Sequence, residues 1–558
     1  MLANCRNTRR RCPAIPSSTD PPVNTDHPLH PDARWSRCAV LALAIALWLA
    51  PGARATEIKL EDATIAELQD AMTKGSLTSE KLVSLYLARI KAYDQQGPKL
   101  DTIITLNPKA LDEARALDAE RKAKGPRSPL HGIPILAKDV FNTAEMPTSG
   151  GFKPMATSQP ARDSFIIDRL RKAGAIILGK TNQADWYGVA TRGASTLKGQ
   201  VLSPYNLKKF PGMSSSGTGA AMAAWFATVG LGSDTGASIV MPTSHNELVG
   251  FAMSHGLVSR TGQMWSSPSQ ENAGPMGRSV YDCAVVLDAI AGYDPADLAT
   301  QASIGKIPDR PYTSFITPDG LKGARVGVLR EMFRSGPLHA EGNALAEKAI
   351  ADFKKAGAIV VDPVLTGLKL TEAQNDGAAS RYEVAAAINK YLAELPPSAP
   401  IHTVDEMIAK AGDVTVKPNI IEANKALKKG SLDHSVELVA MLKGQDVLRS
   451  ALVAVMDKYE LDALILPFRT VQIEDVGLAV DPHPDDSANH LSSYTGLPTI
   501  IVPAGFYPSD GMPFGMQFLG RPFTEPTLIK LASGFEAATR ARKAPASTPA
   551  LPEETISY

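Results

Sequence analysis

The residues best suited to chemistry lie in one stretch, PGMSSSGTGAAMAAWFATVGLGSDTGASIVMP (211–242). It holds two clusters of glycine and small polar residues, at 212–219 and 232–238. The segment between them is expected to form a helix over roughly 217–228 and then a short strand. A helix of about 12 residues rises ~18 Å, and a strand of about five residues covers ~17 Å. A strand running back along the helix therefore returns Ser238 to Ser214. Serine hydroxyls become nucleophiles when a base takes their proton. Glycine and serine at a helix start leave backbone N–H groups free to face an oxyanion or another anion. On spacing alone the stretch also fits a phosphate-binding Gly/Ser loop, or close packing with no chemistry.

Other local patterns compete with it. Ser195-Thr196-Leu197-Lys198 is an SxxK, a nucleophile pattern that chance also produces in chains this long, and neither SDN nor KTG accompanies it. Lys180, in GKTN, reads as a core-ordering residue. His245 and His255 flank the second cluster and read as structural histidines, since His245-Asn246-Glu247 is not HExxH. His483, Asp485 and Asp486 could mimic a metal site but suit a solvated loop better. Trp186, Tyr187 and Trp265 fit either a pocket wall or the core.

The elements that must position these residues follow from hydrophobic pattern. Helical spacing opens at TIAELQDAMTKG (64–75) and TSEKLVSLYLARIKAY (78–93). Short apolar runs then alternate with helices: IPILAK (133–138), AIILGK (175–180), TVGLG (228–232), RVGVLR (325–330), AIVVD (358–362), ALILPF (463–468), TIIVPAGF (499–506) and FGMQFLG (514–520). DSFIIDRLRKAG (163–174) and TEPTLIKLASGFEAATRAR (524–542) read as covering helices. Such alternation implies an α/β fold with a largely parallel or mixed sheet. Residues 363–460 are mostly helical and read as an insertion over one edge, and 544–552 read as a solvated tail.

Composition bounds the class. The 558 residues are 44% hydrophobic and 21% charged, with 58 basic and 58 acidic side chains. That balance gives no support to nucleic-acid binding or a polybasic membrane role. Residues 1–55 hold seven arginines against three aspartates, and CAVLALAIALWLAP (38–51) follows Arg34 and Arg37 and precedes Ala53-Arg54-Ala55. This order predicts a secretory signal peptide over 1–55, cleaved after Ala55, with 56–558 as a single domain that is periplasmic or secreted; an uncleaved anchor is the alternative. Arg9-Arg10 lies far from the apolar run for a twin-arginine signal. Cys5, Cys12 and Cys38 would leave with the leader, so Cys283 alone remains and no internal disulfide forms.

The motifs together resemble the amidase signature family. GMSSSGTGAA and GSDTGASI match its Gly/Ser core, LHGIPILAKDVFNT (130–143) its lysine motif, and GKTN, VSRTG, SQENAGPMGRSVYD, TGLPTIIVPAGF and FGMQFLGRPF follow in order. SIV and SQENAGPM are most similar to the peptide-amidase-like branch. The resemblance implies an amidase-signature fold, a large mixed sheet flanked by helices on both faces. It also implies a Ser-Ser-Lys triad: Ser238 as acyl-forming nucleophile, Ser214 as bridging serine on a cis peptide bond, and Lys138 as base. Thr235, Gly236, Ala237 and the N–H of Ser238 would face the oxyanion. Lys138 ends an apolar run, so burial should disfavour its ammonium form, and Asp139 should face elsewhere, as successive strand residues do. Met213, Ser216 and Ala237 stand where relatives have glycine, and Ala237 would be strained if its φ is positive. Val240 replaces an arginine found in many relatives.

The function so implied is hydrolysis of a carboxamide to acid plus amine or ammonia, with no metal or cofactor. The expected substrate is a small-molecule or peptide amide. No nucleic acid and no stable membrane insertion are expected, and the chain would be a monomer or homodimer. An esterase on the same triad, a component of a transamidation enzyme for charged tRNA, and a catalytically dead binding protein are the rival readings.

Overall fold

The computed structural model describes residues 57–185, 193–412, 414, 418–478 and 489–557. The sequence expectations for 1–55, Trp186, Tyr187, His483, Asp485 and Asp486 fall outside them. An 11-stranded sheet forms the centre. From edge to edge its strands are Ile359–Val364, Arg325–Leu329, Ala463–Pro467, Pro513–Leu519, Thr499–Phe506, Val249–Ala252, Asn272–Gly277, Val229–Asp234, Pro134–Lys138, Ile176–Thr181 and Ile103–Leu106. Arg325–Leu329 runs parallel to both its neighbours, as does Pro134–Lys138; every other pairing is antiparallel. The sheet is therefore mixed and flanked by helices. Its central strands are buried on both faces, which is why they read as continuous apolar runs.

Local sequence sets the helix starts. Thr64 caps Ile65–Thr73 in a reciprocal box with Glu67. Thr78 accepts from the Lys81 N–H at the start of Ser79–Ile90. The amphipathic Phe165–Lys172 lays Ile166, Ile167 and Leu170 inward. Five helices, Leu370–Asp376, Ser380–Ala393, Val404–Ala411, Pro418–Asp433 and Ser435–Lys458, fill the segment that breaks the alternation. Among the described residues, no helix is long and apolar enough to cross a membrane.

Two expectations are corrected here. The small-residue helix is Ser216–Ala223, shorter than anticipated, because the chain turns at Trp225 with φ 44° before the strand Val229–Asp234 begins. Residues 544–552 are a solvated tail only in part: Ala544, Ala546, Pro549, Ala550 and Pro552 are exposed, but the segment is anchored. Thr548 is fully buried, and its carbonyl and that of Pro549 accept hydrogen bonds from the buried Arg89. Arg89 also bonds both oxygens of Glu554 at 2.9 Å and lies 3.5 Å from the Trp225 ring centroid. Strand Thr555–Ser557 then pairs with Glu57–Lys59. A buried arginine needs several acceptors, and the polar, Pro-rich tail supplies them.

Candidate active site

The short helix Ser216–Ala223 and the strand Val229–Asp234 bring the two serine clusters to the same end of the sheet. The backbone N–H of Ser214 points to the Ser238 Oγ at 3.4 Å. Glycine is required where the helix meets the GKTN motif: a Cβ on Gly217 would lie 2.1 Å from the Asn182 carbonyl oxygen. Lys138 ends the neighbouring parallel strand, which places its side chain beside the same cluster. Its Nζ donates to Ser214 Oγ at 2.6 Å and to Ser233 Oγ at 2.9 Å. Lys138 is 2% exposed. Burial lowers its pKa to about 8, against the opposing pull of the Glu271 and Asp234 carboxylates.

Asp139 faces away, as the strand alternation predicts. It pairs with Lys180 at 3.0 Å and accepts from the Ser149 N–H and hydroxyl. Lys180 also donates to Thr148 Oγ1 at 2.9 Å, so this second buried lysine is tied into the core.

Residues 235–238 form an open turn after the strand. Among the described residues, the N–H groups of Gly236 and Ala237 have no hydrogen-bond partner. Ala237 has φ 66°, the left-handed conformation that glycine would adopt without strain. The Asp234 carboxylate accepts from the N–H groups of Ile239 at 2.8 Å and Val240 at 3.3 Å, directly after Ser238. A carboxylate collecting two backbone N–H groups fixes the turn that presents Ser238. The bond before Ser214 is trans, not cis; trans is favoured by about 3 kcal/mol at a non-proline residue.

The competing motifs separate from this cluster. Ser195 Oγ accepts from the Lys198 N–H at 2.9 Å, while the Lys198 ammonium lies 3.7 Å from Asp101. The SxxK is thus a hairpin turn. His245 is fully buried, with Nδ1 3.2 Å from the Phe210 carbonyl and its ring between Phe210 and Phe468. His255 has its pKa lowered to about 4 by burial and the nearby Arg260. Trp265 is half-buried between the Arg260 guanidinium and the Lys390 ammonium.

Several side chains at the cluster carried no role in the sequence reading. Ser233 and Asp234 lie within GSDTGASI, and Gln270 and Glu271 within SQENAGPM, so the motifs flagged the segments without assigning these positions. Gln270 donates to the Thr235 carbonyl at 3.3 Å and accepts from the Ser380 N–H, joining the turn to the helical segment. Glu383, from the same segment, accepts from the Ser267 and Ser269 hydroxyls. His490 had no motif to mark it. It stacks on Tyr494 at 4.7 Å and lies beside Gly236, and burial lowers its pKa to about 4.

A hidden lysine joined to a serine pair beside an open N–H turn is the arrangement that the motifs anticipate, and the Amidase family model matches residues 81–529. The chain belongs to the amidase signature family. It is 33% identical to a probable amidase of Arabidopsis thaliana over 91% of this chain and 96% of that one. It is 34% identical to a glutamyl-tRNA(Gln) amidotransferase component of Geobacter metallireducens, over 86% of this chain and 98% of that one. The crystal structure of the native peptide amidase of Stenotrophomonas maltophilia superimposes with a TM-score of 0.76 at 35% identity, covering 88% of this chain and 99% of that chain. An amidase fold and an amidase class of enzyme follow from these matches.

Proposed function

We propose that this amidase hydrolyses a carboxamide through an acyl-enzyme on Ser238. The observation that carries the reading is the contact of the buried Lys138 with the Ser214 hydroxyl at 2.6 Å, on the residue whose own N–H reaches Ser238 Oγ. Neutral Lys138 takes the Ser214 hydroxyl proton as Ser214 takes that of Ser238. The Ser238 oxygen attacks the amide carbon, and the oxyanion that forms faces the N–H groups at Thr235, Gly236 and Ala237. The C–N bond breaks as the proton returns through Ser214 to the departing amine or ammonia. Water then cleaves the acyl ester by the same relay and frees the acid. A small-molecule or peptide amide is the substrate class, supported by the likeness to the peptide amidase. A fluorophosphonate should label Ser238, and Ser238→Ala should abolish both labelling and turnover. Labelling at Ser195 would defeat the assignment.

The identity to amidotransferase components favours a second reading, in which the same triad releases ammonia from glutamine for a partner enzyme. Turnover of simple amides by the isolated chain argues for the first reading; glutamine turnover only with charged tRNA and partner proteins argues for the second. We further propose export, from the leader-like pattern of 1–55. Exported protein should begin at Thr56, and full-length protein confined to the cytoplasm would refute this.

A further inference from the structure

The carboxylate of Glu271 lies against the turn that carries Ser238, and the mechanism above gives it no task. Glu271 is 2% exposed. Its Oε2 accepts from the Thr235 hydroxyl, from Ser266 Oγ at 3.1 Å and from the Ser266 N–H at 3.4 Å. Its Oε1 accepts from Gln263 Nε2 at 3.0 Å. Burial raises the pKa of this carboxyl, and the Thr235 and Ser266 hydrogen bonds oppose that rise; four donors converging on two oxygens suit the ionised form, which can only accept. The neighbouring Gln270 holds the same Thr235 by its carbonyl. Thr235, the first residue of the turn, is thus gripped at its side chain and at its backbone.

We propose that Glu271 is a positioning residue for acylation: it fixes Thr235 at the head of the 235–238 turn and supplies the fixed negative charge beside which Lys138 exchanges its proton. This rests on the Ser238–Ser214–Lys138 reading. The two effects have one source, a buried anion that cannot move. A nearby anion stabilises the ammonium form of Lys138, while burial destabilises it. Burial is the larger effect, so the amine is neutral often enough to act as base, and the anion keeps it basic enough to take a serine proton. Asp234 is the other carboxylate facing Lys138, but it is committed to the backbone of the nucleophile turn. Of the remaining groups, Asp139 faces Lys180, the His255 ring meets the Glu271 backbone, and His490 sits beside Gly236. Both histidines titrate near about 4, below the working range.

The test uses the full chain, an amide substrate, pH profiles of kcat and kcat/KM, and fluorophosphonate titration to count competent sites. Glu271→Gln keeps the size and removes the charge. It should move the basic limb towards acid by about one pH unit and lower kcat about tenfold, with KM little changed. Thr235→Val should lower kcat while leaving the limb in place, and Glu271→Asp should keep the limb near its wild-type position. A Glu271→Gln enzyme with the wild-type limb and wild-type kcat overturns the proposal. Should Glu271→Gln fail to fold, the other two variants decide: a displaced limb in Glu271→Asp or an unchanged kcat in Thr235→Val overturns it. Lys138→Ala separates this failure from that of the triad. If the wild-type limb survives in Lys138→Ala, the triad reading falls; if it is lost there yet ignores Glu271→Gln, only the role of Glu271 falls.

Discussion

Lys138 ends its strand and Lys180 stands one residue before the end of the adjacent parallel strand; they are one residue apart in register, and both are hidden from solvent. Their surroundings differ in one respect. Lys180 meets a carboxylate, Asp139, at 3.0 Å, whereas Lys138 meets two serine hydroxyls. Burial lowers the pKa of both, and Asp139 opposes this at Lys180 by direct contact. The carboxylates that oppose it at Lys138 act from beyond contact. On the proposed mechanism, the same side chain in the same kind of strand is a structural cation in one place and a base in the other. The partner decides, and strand alternation assigns the partner: Asp139 follows Lys138 directly and so must point to the opposite face.

The largest test removes Lys138. Lys138→Ala should lower the acylation rate by about 10³-fold or more, because on the proposed mechanism the serine pair then loses its base. Its fold should persist, since an apolar replacement leaves two hydroxyls that can bond elsewhere. Rapid-quench measurement of acyl-enzyme formation checks this. Near-wild-type acylation in Lys138→Ala would erase the distinction between the two lysines.

The complementary change is Asp139→Asn, which strips Lys180 of its counter-charge. Leaving one member of a buried ion pair uncompensated costs about 3–5 kcal/mol. Urea unfolding should show a loss of that order, and the folded fraction should keep its rate. A stable but inactive Asp139→Asn would mean that Asp139 serves the chemistry after all.

A smaller effect reads the base directly. With its pKa lowered to about 8, Lys138 is largely charged at pH 7 and largely neutral at pH 9. If the neutral amine is the base, as proposed, kcat/KM should rise with pH through a single limb centred near that value. Lys138→Ala should lack the limb. No histidine substitution should remove it, since His255 and His490 titrate near about 4.

How much of this was legible depended on scale. The strand runs 133–138, 175–180 and 228–232 were readable because a strand buried on both faces must be continuously apolar. The meeting of Ser214 and Ser238 followed from the rise per residue of a helix and a returning strand. Strands Val249–Ala252 and Asn272–Gly277 gave no such signal: they are short and hold glycine where a neighbouring backbone comes close, as at Gly274 against the Phe251 carbonyl. The anchoring of the tail after 544 gave no sequence signal because it acts through the backbone carbonyls of Thr548 and Pro549, which accept from Arg89. The triad positions sat in dense motifs, whereas Glu271 gains its place only through long-range contacts with Thr235, Ser266 and Gln263.

The smallest test concerns backbone strain, which separates the surroundings of the two lysines once more. The strand that holds Lys180 has no positive φ from 176 to 182, while the turn beside Lys138 holds Ala237 at φ 66°. An alanine in the left-handed region costs roughly 1–2 kcal/mol, and glycine is at ease there. Ala237 is also 1% exposed and packs into the core, so deleting its methyl forfeits about 0.8 kcal/mol of burial. The strain is the larger of these two, but the greater unfolded-state freedom of glycine takes back about 0.4–1 kcal/mol, so the stability of Ala237→Gly should lie within about 0.5 kcal/mol of wild type on denaturant unfolding. Its kcat should stay within about threefold of wild type, because Asp234 still collects the N–H groups that fix the turn. A loss of more than about 1 kcal/mol would show that the methyl is a packing element whose contacts outweigh the strain.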